Sequence, residues 1–270
     1  MAERLRNQII GLTRFSYPSL GGFATKDAPV DAVEARLYDP DRLGRRFRLF
    51  ERLALPSLLA QSDQDFRMIF LVGETFPGPC RDRLQDLVAP LKGARVIALP
   101  SLPHFMAMRR AFGFATPDTA THVTGFRLDD DDALDIQHVA RMRRTVAALL
   151  PAAGVKTPLV TGCHRGFFLH LGPDGNALFQ VTEKVPGAQG LAMTAPARSS
   201  DNIFRRNHRL VTQFYNTYCD ATVPAFIRTI HPDNDSGPHA TGLIDPTDWD
   251  AGAPLIARHF PFTAAELRAL

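Results

Sequence analysis

Four consecutive carboxylates, Asp129-Asp130-Asp131-Asp132, directly follow the apolar stretch that runs from His122 to Leu128. Adjacent carboxylates repel one another, and folding them together is costly unless cations or water screen them. An apolar strand that ends in such a run delivers it to the strand's carboxyl end. In open α/β sheets that edge is where ligands bind. A hard divalent ion, held by one or two of the carboxylates and shared with substrate phosphates, would relieve the repulsion. The competing explanation is an acidic helix N-terminus, expected near Asp132 or Asp135, where one Asp caps and another faces the dipole. One or two Asp residues would satisfy that role, and four exceed it. An EF-hand is disfavoured, because Gly at the sixth loop position and Glu at the twelfth are both missing.

The rest of the chain says what carries this strand. Short apolar runs alternate with amphipathic stretches through the first two-thirds, the pattern of a parallel sheet covered by helices. Strands are expected at Gln8–Leu12, Met68–Val72, Arg95–Leu99 and His122–Leu128, with a polar loop from Ser16 to about Pro40. Leu43, Phe47, Phe50, Ala54 and Leu58 mark one helix face, which Pro56 should kink because it lacks an N–H for the ladder. Further helices are expected near Arg81–Val88, Phe105–Phe114 and Ile136–Leu150. Beyond Pro158 come strands at Leu159–Cys163, Phe167–Leu171 and Ala177–Thr182, with turn chemistry in Pro173-Asp174-Gly175-Asn176. A helix near Ile203–Phe214, a strand at Phe226–Ile230 and a terminal helix opened by a Thr263/Glu266 capping box complete the reading.

Hydrophobic residues at 45% of 270 positions are enough for a full core without staples. A net charge of +3, from 31 scattered basic and 28 acidic residues, gives no sign of nucleic acid. Cys80, Cys163 and Cys219 are odd in number and lack C-x-x-C spacing, which argues against a disulfide framework or structural zinc and fits a reducing cytoplasm. No apolar region follows the charged first residues, so no signal peptide is expected, and no stretch is long enough for a membrane span.

A strand ending in Leu-Asp-x-Asp-Asp resembles the donor motif of glycosyltransferase family 2 and its GT-A relatives. Leu55-Pro56-Ser57-Leu58-Leu59-Ala60-Gln61-Ser62, followed by Met68–Val72, resembles that family's helix, Ser-x-x-x-Gln turn and second strand. Arg109 and Arg110 stand where relatives carry an Ala-Arg-Asn helix start. With His231-Pro232-Asp233-Asn234-Asp235-Ser236 included, the chain is similar to a bacterial group named putative rhamnosyltransferases. Two departures are plain: Glu74 stands in place of the usual Asp, and the late Glu-Asp base motif is not evident.

The resemblance implies a GT-A α/β fold, a central and mostly parallel sheet flanked by helices, in a single domain over 1–270. A nucleotide-sugar half would end near Leu150 and an acceptor half would follow. It further implies donor contacts from Asp129, Asp130, Thr13, Arg14 and Glu74, with Arg109 and Arg110 as a phosphate clamp. Asp131 would hold Mn²⁺ or Mg²⁺ on the donor diphosphate, and His231 could add an imidazole ligand. Asp132 would bind metal, orient Asp131 or cap the helix. Asp233 or Asp235 would be the base that deprotonates the acceptor, ahead of Asp220 and Glu183. An ordinary Asx turn competes for that segment. His164, His208 and His239 are weaker acceptor-site candidates.

The expected activity moves a sugar, rhamnose being one candidate, from a nucleotide diphosphate to a hydroxyl on a saccharide or lipid-linked saccharide. The resemblance also implies inversion of configuration. The partners would be those two substrates and no nucleic acid. The expected location is cytoplasmic, or peripheral at the inner face of the membrane. Rival readings are a nucleotidyltransferase, for which Gly21-Gly22 and Lys26 lack phosphate-loop spacing, a glycoside hydrolase, and a non-catalytic glycan- or metal-binding module.

Overall fold

The computed structural model describes residues 5–21, 28–234 and 240–270. Asp235, His239, Gly22 and Lys26, singled out above, lie outside the described residues.

The apolar runs form the strands expected of them. β1 (Asn7–Arg14) pairs in parallel with β2 (Arg67–Gly73) on one side and β4 (His122–Arg127) on the other, and β2 pairs in parallel with β3 (Ala94–Leu99). The sheet continues through β9 (Ala192–Pro196), β6 (Leu159–Cys163) and β10 (Asn216–Asp220), giving the order β10-β6-β9-β4-β1-β2-β3. Only β9 runs against its neighbours, so this seven-stranded sheet is mostly parallel. Close packing is built into it: a Cβ on Gly11 would fall within 2.3 Å of both Met68 Sδ and the Phe126 ring.

Helices cover both faces. On one lie α2 (Pro40–Leu49), α3 (Leu55–Leu59), α4 (Gly78–Val88) and α6 (His138–Ala153), burying Phe47, Phe50, Leu84 and Val146 against Phe70 and Phe126. On the other lies α5 (His104–Ala115), which buries Met108 and Phe112 together with Ile203, Phe204 and Val211. The kink expected at Pro56 takes the form of a π-helical stretch, Phe50–Ala54, between α2 and α3. Proline removes one ladder hydrogen bond and crowds the carbonyl four residues back, and widening the helix accommodates both.

A second sheet has the order β12-β8-β7-β11-β5, from β5 (Ala133–Leu134), β7 (Arg165–His170), β8 (Ala177–Thr182), β11 (Phe226–Ile230) and β12 (Leu243–Thr247). It packs through Phe167, Leu169 and Ile227 against Ile256 of α7 (Trp249–His259) and Leu267 of α8 (Ala264–Arg268). The capping box read at Thr263 and Glu266 is present in full.

Several expectations need correction. The loop from Ser16 to Pro40 contains a helix, α1 (Val30–Leu37), whose Val33 and Leu37 are buried one turn apart. The segment Ile203–Phe214 is not an α-helix but turns followed by a 3₁₀ stretch, His208–Gln213. Asn202 and Asn207 each accept a backbone N–H two residues on, at 3.0 Å, and this local bonding competes with a helix. Asp220 ends a strand after all, since β10 was hidden by its exposed edge position. The helix after the acidic run begins only at His138, six residues past Asp132, with β5 between them.

Candidate active site

That last correction removes the helix-capping explanation for the acidic run. The four carboxylates occupy a turn between two sheets. Leu128 N–H still donates to Leu12 O at 3.2 Å, holding the end of β4 to β1, and Thr13 Oγ1 donates to Leu128 O at 2.8 Å. Asp132 N–H closes the turn onto Asp129 O at 3.3 Å. The chain then enters β5, which pairs with β11 through Ala133 to Ile227 and Leu134 to Phe226. Thr229 on β11 grips the turn twice: its N–H donates to Asp132 Oδ1 at 3.0 Å and its hydroxyl to Asp131 O at 2.8 Å.

The repulsion expected of four carboxylates is relieved largely from within. Arg46, on the inner face of α2, makes a two-pronged pair with Asp130, through Nε to Oδ2 at 2.9 Å and through Nη2 to Oδ1. Its Nη1 reaches Asp131 Oδ2 at 3.1 Å. The same Asp131 oxygen meets His231 Nε2 at 2.9 Å and Asn234 Nδ2 at 3.3 Å. Burial alone would raise the Asp131 carboxyl, but Arg46 and then His231 outweigh it and hold it at about 2. Asp132 goes the other way. Burial, with the charges of Asp131 and Asp129, pushes it well above the usual carboxylate range, and Gln189 Nε2 donates to its Oδ2 at 2.8 Å. Neighbouring carboxylates with pKa values driven apart are a mark of functional sites.

A cleft open to solvent lies above this turn. Arg14 from β1, Arg42 and Arg46 from α2, Arg127 from β4, Arg209 and Arg228 line it, together with Asp129, Asp131, Asp132 and Glu183. Six guanidinium groups thus face four carboxylates, one of which is driven toward its neutral form. The surplus is positive. Arg127 Nε is buried and donates no hydrogen bond among the described residues. Burial, with Arg127 and Arg209 adding to it, pushes the His208 imidazole down to about 3, so this cleft histidine stays neutral. One wall is the segment from Glu183 to Gln189, and it is fixed by Gly190. That residue has φ +70°, and a Cβ there would meet the His138 ring at 2.3 Å.

The structure gathers some of the residues singled out in the sequence and separates others. Asp129, Asp131, Asp132 and Arg14 line the cleft. Asp130 lies beneath, with both oxygens engaged by Arg46. Thr13 is buried behind it, and His231 reaches the cleft through Asp131. Arg109 lines a different cavity, and Glu74 and Arg110 border a third. Asp233 does not line the cleft. Arg45 grips it through Nε to Oδ2 at 2.6 Å and Nη2 to Oδ1 at 3.2 Å, and this bond holds its carboxyl below the usual range. Asp220 lies beside Arg141 in another small cavity, whereas Glu183 lines the cleft and accepts from Thr241 N–H at 2.6 Å. His164 Nδ1 donates to Glu183 O at 2.8 Å.

Sequence reasoning missed Arg42, Arg46, Gln189, Thr229 and Arg228, and gave Asn234 no role of its own within the segment that begins at His231. One signal was available: Arg42 and Arg46 are spaced i,i+4 beside the apolar stripe of Leu43 and Phe47, so they share a helix face. Gln189 and Thr229 carried none, because their role depends on two sheets meeting.

Among the described residues no group of three or more His, Cys, Asp or Glu side chains converges as a ligand cage. Both Asp130 oxygens and both Asp132 oxygens already accept hydrogen bonds. Asp131 Oδ2 likewise accepts from Arg46 and Asn234 and meets His231 Nε2 at 2.9 Å, so an ion held by Asp131 and His231 would have to replace the contact between them, with phosphates and water supplying its remaining ligands.

Fold and cleft together define a mixed α/β protein, with helices on both faces of a mostly parallel sheet and its polar site at the carboxyl edge of parallel strands. Residues 8–243 match the family described as "Putative rhamnosyl transferase", and the chain belongs to that family. No curated protein matches. Among solved structures, the chain is similar to S. aureus TarS 1-349 in complex with UDP-GlcNAc, at 10% identity and a TM-score of 0.43, covering 97% of this chain and 69% of that one. A putative nucleotide-diphospho-sugar transferase from Desulfovibrio desulfuricans G20 gives 8% identity and a TM-score of 0.38, covering 84% and 83%. The 4-diphosphocytidyl-2C-methyl-D-erythritol synthase of Anaerococcus prevotii DSM 20548 gives 8% identity and a TM-score of 0.33, covering 91% and 93%.

Proposed function

We propose that the protein is a glycosyltransferase that takes a sugar from a nucleotide diphosphate and transfers it to a hydroxyl of a saccharide or lipid-linked saccharide. One observation carries the reading: an arginine-rich cleft stands over a carboxylate turn at the carboxyl edge of β1 and β4. Arginines suit the two phosphates of the donor, since a planar guanidinium pairs bidentately with phosphate oxygens. The family's description adds rhamnose as the first sugar to try. In this reading residues up to about 150 serve the donor, and later residues, which supply Glu183, Arg228 and Thr241 to the same cleft, serve the acceptor.

Asp131 and His231 would hold Mn²⁺ or Mg²⁺, and when bound the ion supplies Lewis-acid stabilisation of the leaving diphosphate. Asp129, at the cleft mouth beside Arg127 (3.9 Å), would meet the nucleoside. Gln189 and Thr229 would keep the turn rigid while ligands exchange. The base needs a carboxylate within reach of the acceptor hydroxyl and a pKa not far below neutral. The ion pair with Arg45 counts against Asp233, and the cleft position favours Glu183.

The experiment is a panel of nucleotide sugars, assayed with Mn²⁺ for donor hydrolysis and for transfer to saccharide acceptors, run with wild-type enzyme, Glu183→Gln and Asp233→Asn. Sugar release from at least one donor, with transfer lost in Glu183→Gln and nucleotide binding retained, is the expected result. No turnover of any nucleotide sugar, alongside nucleotidyl transfer from a nucleoside triphosphate, would sink the reading.

A further inference from the structure

Arg109 and Arg110, which the cleft does not use, belong to a second basic surface. The outward stripe of α5 carries Met106, Arg109, Arg110 and Phe114, spaced three and four residues apart so that they share one face. The segment that follows Ile203 packs beside this helix. Phe204 meets His104 and Phe112, with ring centroids at 5.7 and 6.2 Å, and Arg205 lies over the Phe105 ring at 5.7 Å. That segment exposes Arg205, Arg206, Arg209, Leu210 and Phe214. The two adjoining elements together expose five arginines and four large apolar side chains: Met106 at 49%, Phe114 at 54%, Leu210 at 42% and Phe214 at 50% exposure. Two of the arginines lie over exposed rings, Arg110 over Phe114 at 5.8 Å and Arg206 over Phe214 at 4.3 Å. Asp201 pairs with Arg205 at 2.8 Å.

We propose that this face docks on the surface of an anionic lipid bilayer. Apolar side chains at the headgroup boundary with cations among them combine both terms of interfacial binding, buried apolar area and attraction to anionic lipids. The arginine stems can lie along the apolar surface while their charged ends reach the headgroups. A second copy of the chain is a poorer occupant. A two-fold interface sets the same patch against itself, and five arginines would then face five. His208 and Arg209 also line the cleft, so docking brings the cleft mouth to the headgroup layer, where a lipid-linked acceptor would stand. That consequence rests on the transferase reading; the docking itself does not.

The test is flotation of the whole protein with vesicles of phosphatidylcholine alone and of phosphatidylcholine mixed with phosphatidylglycerol, a measurement that needs no turnover. Partition into the anionic vesicles, weakened by salt, is expected. R109A/R110A removes two surface cations and should lower that partition about thirtyfold. L210S/F214S should weaken it too, while R144A/K156A, an equal charge change on and just beyond α6, should not. Melting curves confirm that each variant is folded. Equal partition into neutral and anionic vesicles, no partition into either, or no difference between R109A/R110A and R144A/K156A would overturn the proposal. Concentration-dependent self-association abolished by L210S/F214S would also overturn it, by assigning the face to a second copy.

Discussion

Arginine serves two opposite arrangements in this molecule. Around the acidic turn, the Arg46 side chain is only 11% exposed and is held in a geometry set by Asp130 and Asp131. On the outer face of α5 and the segment beside it, arginines stand exposed among apolar side chains. The first arrangement neutralises charge that the fold itself created, and its strength comes from exclusion of water. The second neutralises little inside the protein, which leaves its charge available to a partner. A cluster of cations in a sequence therefore says little until its burial is known.

The comparison breaks most visibly at Arg46. Arg46→Ala leaves the Asp130 carboxylate buried without its partner, and breaking such a pair costs about 3–5 kcal/mol. Denaturant unfolding should show a loss of that size. Arg46→Ala combined with Asp130→Ala should recover much of it, because the uncompensated charge is gone. A loss below about 1 kcal/mol for Arg46→Ala would mean that solvent or a neighbouring group replaces the guanidinium, and the buried arrangement would lose its meaning.

A smaller effect should appear with pH just past the turn. Burial would raise the Asp135 carboxyl, but its contact with His138 and its two-pronged pair with Arg141 hold it below the usual range. A carboxyl whose pKa is depressed on folding stabilises the folded state above its unfolded value, near 3.9, and that stabilisation is lost as pH falls through the folded value. Wild-type stability should therefore drop more steeply below about pH 4 than that of Asp135→Asn. The difference between the two near neutral pH should be about 1.5–3 kcal/mol, the range for hydrogen bonds to charged groups. Parallel acid limbs would show that the Asp135 carboxyl titrates alike in the folded and unfolded states, and would contradict the ion pair's contribution.

The smallest effect belongs to the exposed arrangement. R109A/R110A should change unfolding free energy by less than about 0.5 kcal/mol per site, as for surface substitutions that touch nothing buried. A larger loss would show that these arginines support the fold, and the contrast between the two arrangements would fail.

How far the sequence reaches follows the same division between local and distant cause. The parallel strands β1, β2, β3 and β4 were legible because each is a continuous apolar run bounded by turns. The acidic turn was legible for the same reason, since the strand before it fixes where it emerges. His231 and Asp131 were suspected of sharing a site while 100 residues apart, and they meet at 2.9 Å. What failed lacked a local signal. β9 and β10 owe their pairing to partners far along the chain, and β10 is an edge strand with alternately exposed residues. The helix expected at Ile203–Phe214 gave way to asparagine-centred turns. Arg109 and Arg110 were read as a phosphate clamp from their place in the sequence, yet α5 turns them outward, away from the cleft. Arg46 was overlooked because a helix arginine ordinarily faces water, and only the tertiary fold sets it over Asp130.

The central claim is that the cleft above Asp129–Asp132 binds the diphosphate of a nucleotide, with Asp131 and His231 sharing a divalent ion. Calorimetric titration tests it most directly, using a set of nucleoside diphosphates with Mn²⁺ and with chelator, on wild-type protein and on Asp131→Asn. The account predicts binding of at least one nucleoside diphosphate that is about tenfold or more tighter with Mn²⁺ than without, through ligands shared between protein and phosphate. It also predicts that the Mn²⁺ dependence disappears in Asp131→Asn while the variant still melts as a folded protein. Nucleoside diphosphate that binds wild type and Asp131→Asn equally, with or without Mn²⁺, would contradict the claim for the ion. Absence of binding by any nucleoside diphosphate to folded wild-type protein would contradict it for the cleft.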